Sequence, residues 1–585
     1  MAERFRFSPR PNRAGEIHWR EWGEAAFDEA ARTDRPVLLN LTAVWCQWCH
    51  RMDETTYSDP GLIERINAEL IPIRVDADRY PHVQDRYIAG GWPTNAFLTP
   101  SGEVLWAGTY VPADEFRTVA DGVLTAWRDR RPGLAQEIER RRKALEAARS
   151  RRPAVGLIRR EAADDVLTVM QDSFDVRNGG FGTAPKFPHA EAIELLFAQA
   201  ERTGNPDWSE MAVRTLDGML AGELWDSVEG GFFRYALEPD WTAVRFEKLL
   251  DVNAGMLRAF ALGAHLKNRA DWREVAERTV AWVDETLGLE GGLWAGSQDA
   301  DEAYFALDAE ARRGREAPYV DPTRFASANA HWIRSLAEAG ARLGRTDWVE
   351  RAADALDTLY HSFVQPDGLL CHFHGENGGP AVTGLLIDTL DAARAAVAVA
   401  QATGRGDVLE LARRLASALE DRLWADEGGF FDHVSTGADV AALRYRDRPF
   451  EANASAARLF NDLTLATGER SYRAMAERTL ALLSPLAGRY GVAGAEFALA
   501  VEEYFEAPLQ IVVVGPPDAA APLRTAALAL PEASRRVWSM ERGGRIGPLR
   551  FQAADTPVAY VCGGRTCSAP VAEPGALAAT VEAVR

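Results

Sequence analysis

Cysteine is scarce: the 585 residues hold five, at positions 46, 49, 371, 562 and 567. A fold stapled by disulfides needs far more, so the cysteines are read pair by pair for chemistry. Long apolar runs are also missing. The most apolar short segment, LQIVVVG at 509–515, has the length of a strand and not of a membrane-spanning helix. The N-terminal MAERFRFSPRPNRAGEIHW carries charge with no apolar stretch behind it, unlike a secretory signal, and a cytoplasmic location is expected. Positive charge is in deficit: 66 Lys+Arg against 86 Asp+Glu give a formal net charge of −20, which excludes broad binding to a nucleic-acid backbone. Core material is plentiful, with 47% hydrophobic residues and 17 Trp, and this excludes intrinsic disorder. The length implies about three domains at roughly 100–200 residues each.

The pattern along the chain changes three times. Over residues 31–111, strand-like and helix-like stretches alternate: RPVLLNLTAV, DPGLIERINAEL, LIPIRVDAD, then TNAFLTPSGEVLWAG as a hairpin. This predicts an α/β domain over 1–127. Residues 128–159 are strongly basic, with Pro132 and Pro153 bracketing a helical stretch; Glu137–Arg141 and Glu139–Lys143 stand at i,i+4, which favours a solvated linker helix over a nucleic-acid contact.

From 160 to 505 the sequence is helical and repetitive. Gly-centred loops (GGF at 179–181, GGFF at 230–233, GGLW at 291–294, DGLL at 367–370, GGFF at 428–431, YGVAG at 490–494) alternate with short turns ending at Trp208, Trp272, Trp348, Val408 and Tyr472. The segments between them follow a 3.6-residue period and predict about twelve helices in six hairpins, with a repeat of about 60 residues. Short turns at one end and elaborate loops at the other fit a closed (α/α)6 toroid better than an open solenoid. Residues 506–585 return to α/β character, in a segment small enough to need support from another domain.

AVWCQWCHRM places Cys46 and Cys49 between an apolar strand and an amphipathic stretch. At a helix start, free N–H groups and the helix dipole stabilise a thiolate, making Cys46 the nucleophile and Cys49 the resolving thiol. Zinc binding, with His50 adjoining, and an inert pair are the alternatives. GGWPTNAFLTP sets Pro93 just before a strand, and the whole stretch resembles thioredoxin-fold proteins, whose cis-proline lies against the disulfide. Asn40 stands where thioredoxins carry a buried acid, so help from a general base at Cys49 is not provided there. In YVCGGRTCSAP, Cys562 and Cys567 form a second close pair. They are either a second redox pair or two unrelated residues of a turn, and a direct relay to Cys46–Cys49 follows only from the first reading.

Polar residues gather on the Gly-Gly loops, which would surround one funnel. The candidates for substrate binding are Lys186, Asp226, Arg234, Tyr235, Glu247, Lys248, Asp299, Asp301 and Glu451, with His189, Asp251, His372, His374, His433, Arg444 and Arg446 beside them. Paired carboxylates suit acid/base or glycosidic chemistry, whereas Asp299 and Asp301 equally suit a helix cap. No resident cofactor and no metal are expected.

These motifs together resemble the thioredoxin-domain-containing proteins akin to the spermatogenesis-associated protein. NRAGEIHWREWGEAAF, WCQWCH, GGWPTNAFLTP and GTYVP carry the first half of the match; GGFGTAPKFPHA, WDSVEGGFFRYALEPDW, RFEKLLDVNAGML, GSQDADE and YVCGGRTCSAP carry the rest. The resemblance implies a thioredoxin-like domain fused to a six-hairpin toroid similar to N-acylglucosamine 2-epimerases and six-hairpin glycosidases. Arg245 and Phe233 stand where the family usually has His, and IDTLD at 387–391 where it has Asp-Asp-Tyr. The leading expectation is a thiol–disulfide protein whose toroid recognises a protein partner or glycan-like ligand. A carbohydrate epimerase or glycosidase with a regulatory thioredoxin domain is the second, and a non-catalytic scaffold the third.

Overall fold

The β-branched and apolar run at 37–42 forms β1 (Val37–Thr42), buried along its whole length. Strand β2 (Ile71–Asp76) runs parallel to it, while β3 (Thr94–Leu98) and β4 (Val104–Gly108) are antiparallel, in the order β2-β1-β3-β4. Because β1 is flanked on both sides, each sheet face needs a helical cover. Helices α1 (Glu24–Thr33) and α4 (Pro81–Tyr87) cover one face; α2 (Gln47–Glu54), α3 (Pro60–Glu69) and α5 (Ala113–Asp129) cover the other. This is the thioredoxin-like arrangement expected from the sequence. The computed structural model describes residues 5–150 (side chains through 144), 156–375, 378–553, 556–564 and 566–584. Pro132 lies in the first turn of α6 (Arg131–Ser150), where Glu137 pairs with Arg141 at 2.8 Å and Glu139 with Lys143 at 3.4 Å; Pro153 lies outside the described residues.

The repetitive segment folds as two concentric rings. Outer helices α7 (Glu161–Ser173), α9 (Pro206–Ala221), α11 (Ala270–Trp282), α15 (Thr346–Phe363), α17 (Gly406–Leu423) and α19 (Arg470–Leu483) alternate in sequence with inner helices. The inner ones are α8 (Ala190–Thr203), α10 (Leu250–Lys267), α14 (Ala326–Leu343), α16 (Leu386–Thr403), α18 (Phe450–Thr467) and α21 (Ala495–Phe505). Each inner helix packs on the next and α21 packs back on α8, so the ring is closed. Alanine makes that possible: Ala392, Ala393, Ala395, Ala396, Ala398 and Ala400 let α16 be buried nearly all round. Short helices α12 (Glu302–Phe305), α13 (Ala309–Arg313) and α20 (Ala487–Tyr490) lie in connections, as do strands β5 (Tyr235–Ala236), β6 (Val244–Arg245), β7 (Lys248–Leu249), β8 (Ser297–Gln298), β9 (Val320–Asp321), β10 (Cys371–His374) and β11 (Pro380–Thr383).

The two kinds of connection have separate causes. Short turns follow inner helices, which end in a left-handed residue: Gly204, Asn268, Gly344, Gly404 or Gly468. Long connections follow outer helices and begin with a tight antiparallel bridge, such as Trp225–Phe232 and Trp424–Phe430. Gly231 shows why glycine is needed there: φ is +76° and an added Cβ would lie 2.5 Å from the Trp282 ring. An amide on the next inner helix pins the bridge. Asn253 accepts from Phe232 N–H at 2.7 Å and donates to Phe232 O at 3.1 Å, and Asn329 and Asn453 do the same for Trp294 and Phe430.

The last segment contains β12 (Leu509–Val514), α22 (Pro517–Leu528), β13 (Arg535–Met540), the hairpin β14 (Gly544–Ile546)–β15 (Leu549–Phe551), β16 (Val558–Gly563), β17 (Thr566–Cys567) and α23 (Leu577–Val584). Its sheet order, β13-β12-β16-β17 with β12 and β13 parallel, repeats the order and senses of the first sheet. The segment sits on the short-turn end of the toroid, where Arg342 donates to Glu532 O and Ala533 O, and Gln401 accepts from Val537 N–H.

Candidate functional site

Cys46 is the N-cap of α2. Its Sγ accepts from Cys49 N–H at 3.1 Å, and the two residues are joined in a disulfide with Cα atoms 5.2 Å apart. Pro93 follows a cis peptide bond from Trp92 and leads directly into β3. Ala43, Trp45, Trp92 and Leu249 pack around the sulfurs, leaving Cys46 3% and Cys49 2% exposed while Trp48 is 41% exposed. Leu249 belongs to the toroid. The dithiol motif is therefore sealed by the second Gly-Gly loop and not open to solvent.

Below α2, Asn40 is fully engaged: it donates to Asn95 Oδ1 at 3.0 Å and accepts from Arg74 at 3.1 Å. Arg74 also holds both oxygens of Asp53 at 2.9 Å, and Ser8 N–H donates to the same carboxylate at 3.1 Å. Bidentate and buried, this pair fixes the helix.

The sealing segment is residues 245–249, RFEKL, running from the end of β6 through β7. Alternate residues of an extended strand point to opposite sides. The guanidinium of Arg245 lies 5.9 Å from the Trp48 ring and Leu249 packs on the cysteines, while burial raises the pKa of Glu247 against the lowering effect of the Gln47 backbone. Phe246 and Lys248 face the toroid instead, Phe246 stacking on Phe305 and Lys248 bonding Asp226 at 2.6 Å. Arg234 lies 4.5 Å from the Trp45 ring and 4.6 Å from Trp92. His50 Nδ1 stands 3.7 Å from Asp299. Burial lowers the His50 pKa to about 4 and raises that of Asp299 to about 7, so near pH 6 both groups are neutral and the contact is not an ion pair.

The other expected funnel residues separate into distinct environments. Lys186, completely buried, bonds Asp175 and Gly179 O at 2.6 Å each; Asp226 joins Lys248 to Arg312 at 2.8 Å. These ion pairs brace the loops, because a buried charge demands a partner. Tyr235 stacks on Phe187 at 4.6 Å, and Asp301 caps α12 through Tyr304 N–H at 3.0 Å. Glu451 and His189 do reach a central cavity of about 530 Å³, which all six inner helices or their N-terminal approaches line. The same cavity is lined by Arg258, Arg334, Arg394, Glu191 and the pair His331–Asp391, 3.1 Å apart. Asp391 raises the His331 pKa, and burial raises that of Glu451.

The cavity's roof was not legible in the sequence. It is α4 of the thioredoxin-like unit, through Pro81, His82 and Asp85. Arg86 on the same helix bonds Asp432 at 2.6 Å and Asp447 at 3.1 Å. His372 joins Asp388 of α16 to the backbone carbonyl of Asp78, both at 2.7 Å. The contacts of Arg86 and of the Asp78 carbonyl join segments more than 290 residues apart, a separation no local pattern encodes.

Cys562 and Cys567 face each other across β16 and β17 and are disulfide-bonded, with Cα atoms 4.0 Å apart. They lie at the short-turn end, whereas Cys46–Cys49 lies at the loop end. An 18-residue inner helix such as α10 spans about 27 Å. The direct relay between the pairs is thus incompatible with this arrangement, since exchange requires sulfurs in contact.

Residues 10–146 match the Thioredox_DsbH family model, described as a protein of unknown function, DUF255. Human spermatogenesis-associated protein 20 is 23% identical over 95% of this chain and 89% of its own. Thioredoxin-1 of Drosophila melanogaster is 25% identical over 15% of this chain and 76% of its own. Among solved structures, cellobiose 2-epimerase from Bacillus thermoamylovorans covers 55% of this chain and 85% of its own at 12% identity, with a TM-score of 0.45. The folded chain has the thioredoxin-like plus toroid organisation that its motifs implied, and it resembles human spermatogenesis-associated protein 20 along nearly its whole length.

Proposed function

We propose that this protein carries out thiol–disulfide exchange, with Cys46 as nucleophile, Cys49 as resolving thiol and Pro93 shaping the substrate groove, and that the toroid recognises the partner. One observation carries this reading: the pair sits at the start of α2 with Cys46 Sγ capping the helix, where the N-terminal N–H groups favour a thiolate. A protein disulfide is the substrate class, reached when the 234–249 loop moves off the sulfurs. The test is reduction of insulin by the dithiol-charged protein. Cys46→Ser is expected to abolish it and Cys49→Ser to trap a mixed disulfide; wild-type inactivity overturns the reading.

A second reading rests on the cavity. Its acid–base groups and arginines suit a small polar, carbohydrate-like ligand, with α4 as a regulatory roof. Epimerisation and hydrolysis screens with wild type and Glu451→Gln test it: turnover lost in the variant supports a catalytic toroid, and no turnover of any sugar by wild type sinks it.

A further inference from the structure

A second large cavity, of about 740 Å³, lies between the thioredoxin-like unit and the toroid and shares no lining residue with the central one. Thr42, Ala43, Arg74 and Arg79 belong to one wall, and Tyr319, Asp321 and Phe373 to the other. Its polar atoms are unmatched. Elsewhere buried acids hold cations, as Asp53 holds Arg74 and Asp226 holds Lys248 and Arg312. Asp321 is 3% exposed, and its Oδ1 accepts from Thr323 N–H at 3.2 Å and from Thr323 Oγ1 at 2.8 Å. Among the described residues its Oδ2 meets no partner. Burial and the Asp321 carboxylate raise the pKa of Asp76, on the opposite wall, to about 6 against the pull of Arg79. Four N–H donors are stranded in the same lining: Arg6 Nε, Trp22 Nε1, Arg74 Nε and Arg79 Nε. A buried donor or acceptor left unpaired is costly, so five around one cavity point to a ligand.

We propose that this cavity binds a small zwitterionic peptide, with its ammonium on Asp321 and its carboxylates on the N–H groups of Arg6 and Arg79. The balance of stranded groups sets the ligand class. Four donors against one acceptor call for a ligand richer in carboxylate than in ammonium. An organic ammonium suits Asp321 better than a metal ion does, since among the described residues no three acids or histidines converge closely enough to ligate one. The Arg6 guanidinium lies 3.2 Å over the Tyr319 ring and that of Arg79 5.6 Å from the Phe373 ring, so a toroid aromatic backs each cation. Both units must be docked for the site to exist, and its volume is in the range of small-molecule sites, which favour such interfaces. Ala43 lines this cavity and also packs on the cysteines, so an occupant lies one residue away from the disulfide. The site requires neither reading of function given above.

Isothermal titration calorimetry of the oxidised full-length chain with S-methylglutathione tests this. The probe carries two carboxylates and one ammonium but no thiol, so exchange with the disulfide does not contribute. Saturable one-to-one binding is expected, and no binding at millimolar probe overturns the inference. N-acetylation of the probe removes its ammonium, and Asp321→Asn removes the charge while keeping an acceptor for Thr323. Each change is expected to weaken binding at least about tenfold, and the two together no more than either alone, because both delete the same contact. Arg6→Gln is expected to weaken the free and the acetylated probe alike. Equal affinity of wild type for both probes overturns the inference without any variant. So does binding that Glu451→Gln abolishes and Asp321→Asn leaves intact, since the ligand then sits in the central cavity. The exchange reading stands or falls separately, on the reduction of insulin.

Discussion

At the scale of single residues, the interface between the two units is governed by where charge is buried. Asp299 exemplifies this. Its pKa rises from 3.8 to about 7 because burial disfavours the carboxylate, with Glu247 and Asp301 adding repulsion. Between pH 4 and 7 the folded chain therefore holds a proton that the unfolded chain releases. This contribution to stability is complete below the unfolded pKa and is lost as the pH rises through about 7. Asp299→Asn removes the dependence. Urea unfolding is expected to show the variant more stable than wild type by about 1–3 kcal/mol at pH 8, with the gap narrowing toward pH 5; an unchanged gap would refute the assignment. Lys248 illustrates the opposite case, since its charge is already paired. Lys248→Ala removes one of the two cations paired with buried Asp226 and is expected to cost about 3–5 kcal/mol at pH 7. In the sequence, Asp299 and Lys248 are alike as charged residues of the Gly-Gly loops. Nothing local separates them, because burial is a property of the assembled loop.

At the scale of elements, the repeat was legible and its locks were not. Gly-Gly motifs and short turns give the alternation of connections directly, because their φ values and close approaches tolerate little else. The sequence also holds a subtler signal: an amide or hydroxyl at the fourth residue of inner helices, Asn253, Asn329, Thr389 and Asn453. Each binds the backbone of the bridge before it, and Thr389 accepts from Leu370 N–H at 2.9 Å. Replacing such a residue strands buried N–H and C=O groups. Asn253→Ala and Asn453→Ala are each expected to lower stability by about 2–4 kcal/mol, and to be additive within about 0.5 kcal/mol because they serve different loops. Their functional effects should differ. Asn253 also donates to Leu249 O at 2.8 Å and so holds the strand that covers the cysteines. Faster alkylation of reduced Cys46 is expected in Asn253→Ala alone; equal rates in the two variants would contradict the sealing role of 245–249. The alternation within RFEKL was visible as a pattern, but only the docked sheet shows which face meets Cys46.

At the scale of the whole molecule, the toroid is covered at both ends by units with the same sheet order, one bearing a dithiol motif and one a cross-strand disulfide. The thioredoxin-like cover does two things at once: α2 brings the cysteines under the 245–249 segment and α4 roofs the central cavity. Lifting the unit should therefore expose both sites together. Arg86 tests the coupling because it is not among the residues packed around the sulfurs. Its side chain is 6% exposed and ties α4 to Asp432, Asp447 and Tyr445 O of the toroid. Arg86→Ala leaves Asp432 buried without its cation, an imbalance of about 3–5 kcal/mol set against docking. Reduced Cys46 is then expected to alkylate at least about tenfold faster, since 1.4 kcal/mol of lost docking suffices for that factor. Hydrogen exchange should rise in α4 and at the N-terminal ends of α16 and α18, while β12, β13 and β16 at the far end keep their protection. Faster exchange in α4 without faster alkylation of Cys46 would show that the seam over the cysteines holds independently, and that roof and seal are two devices instead of one.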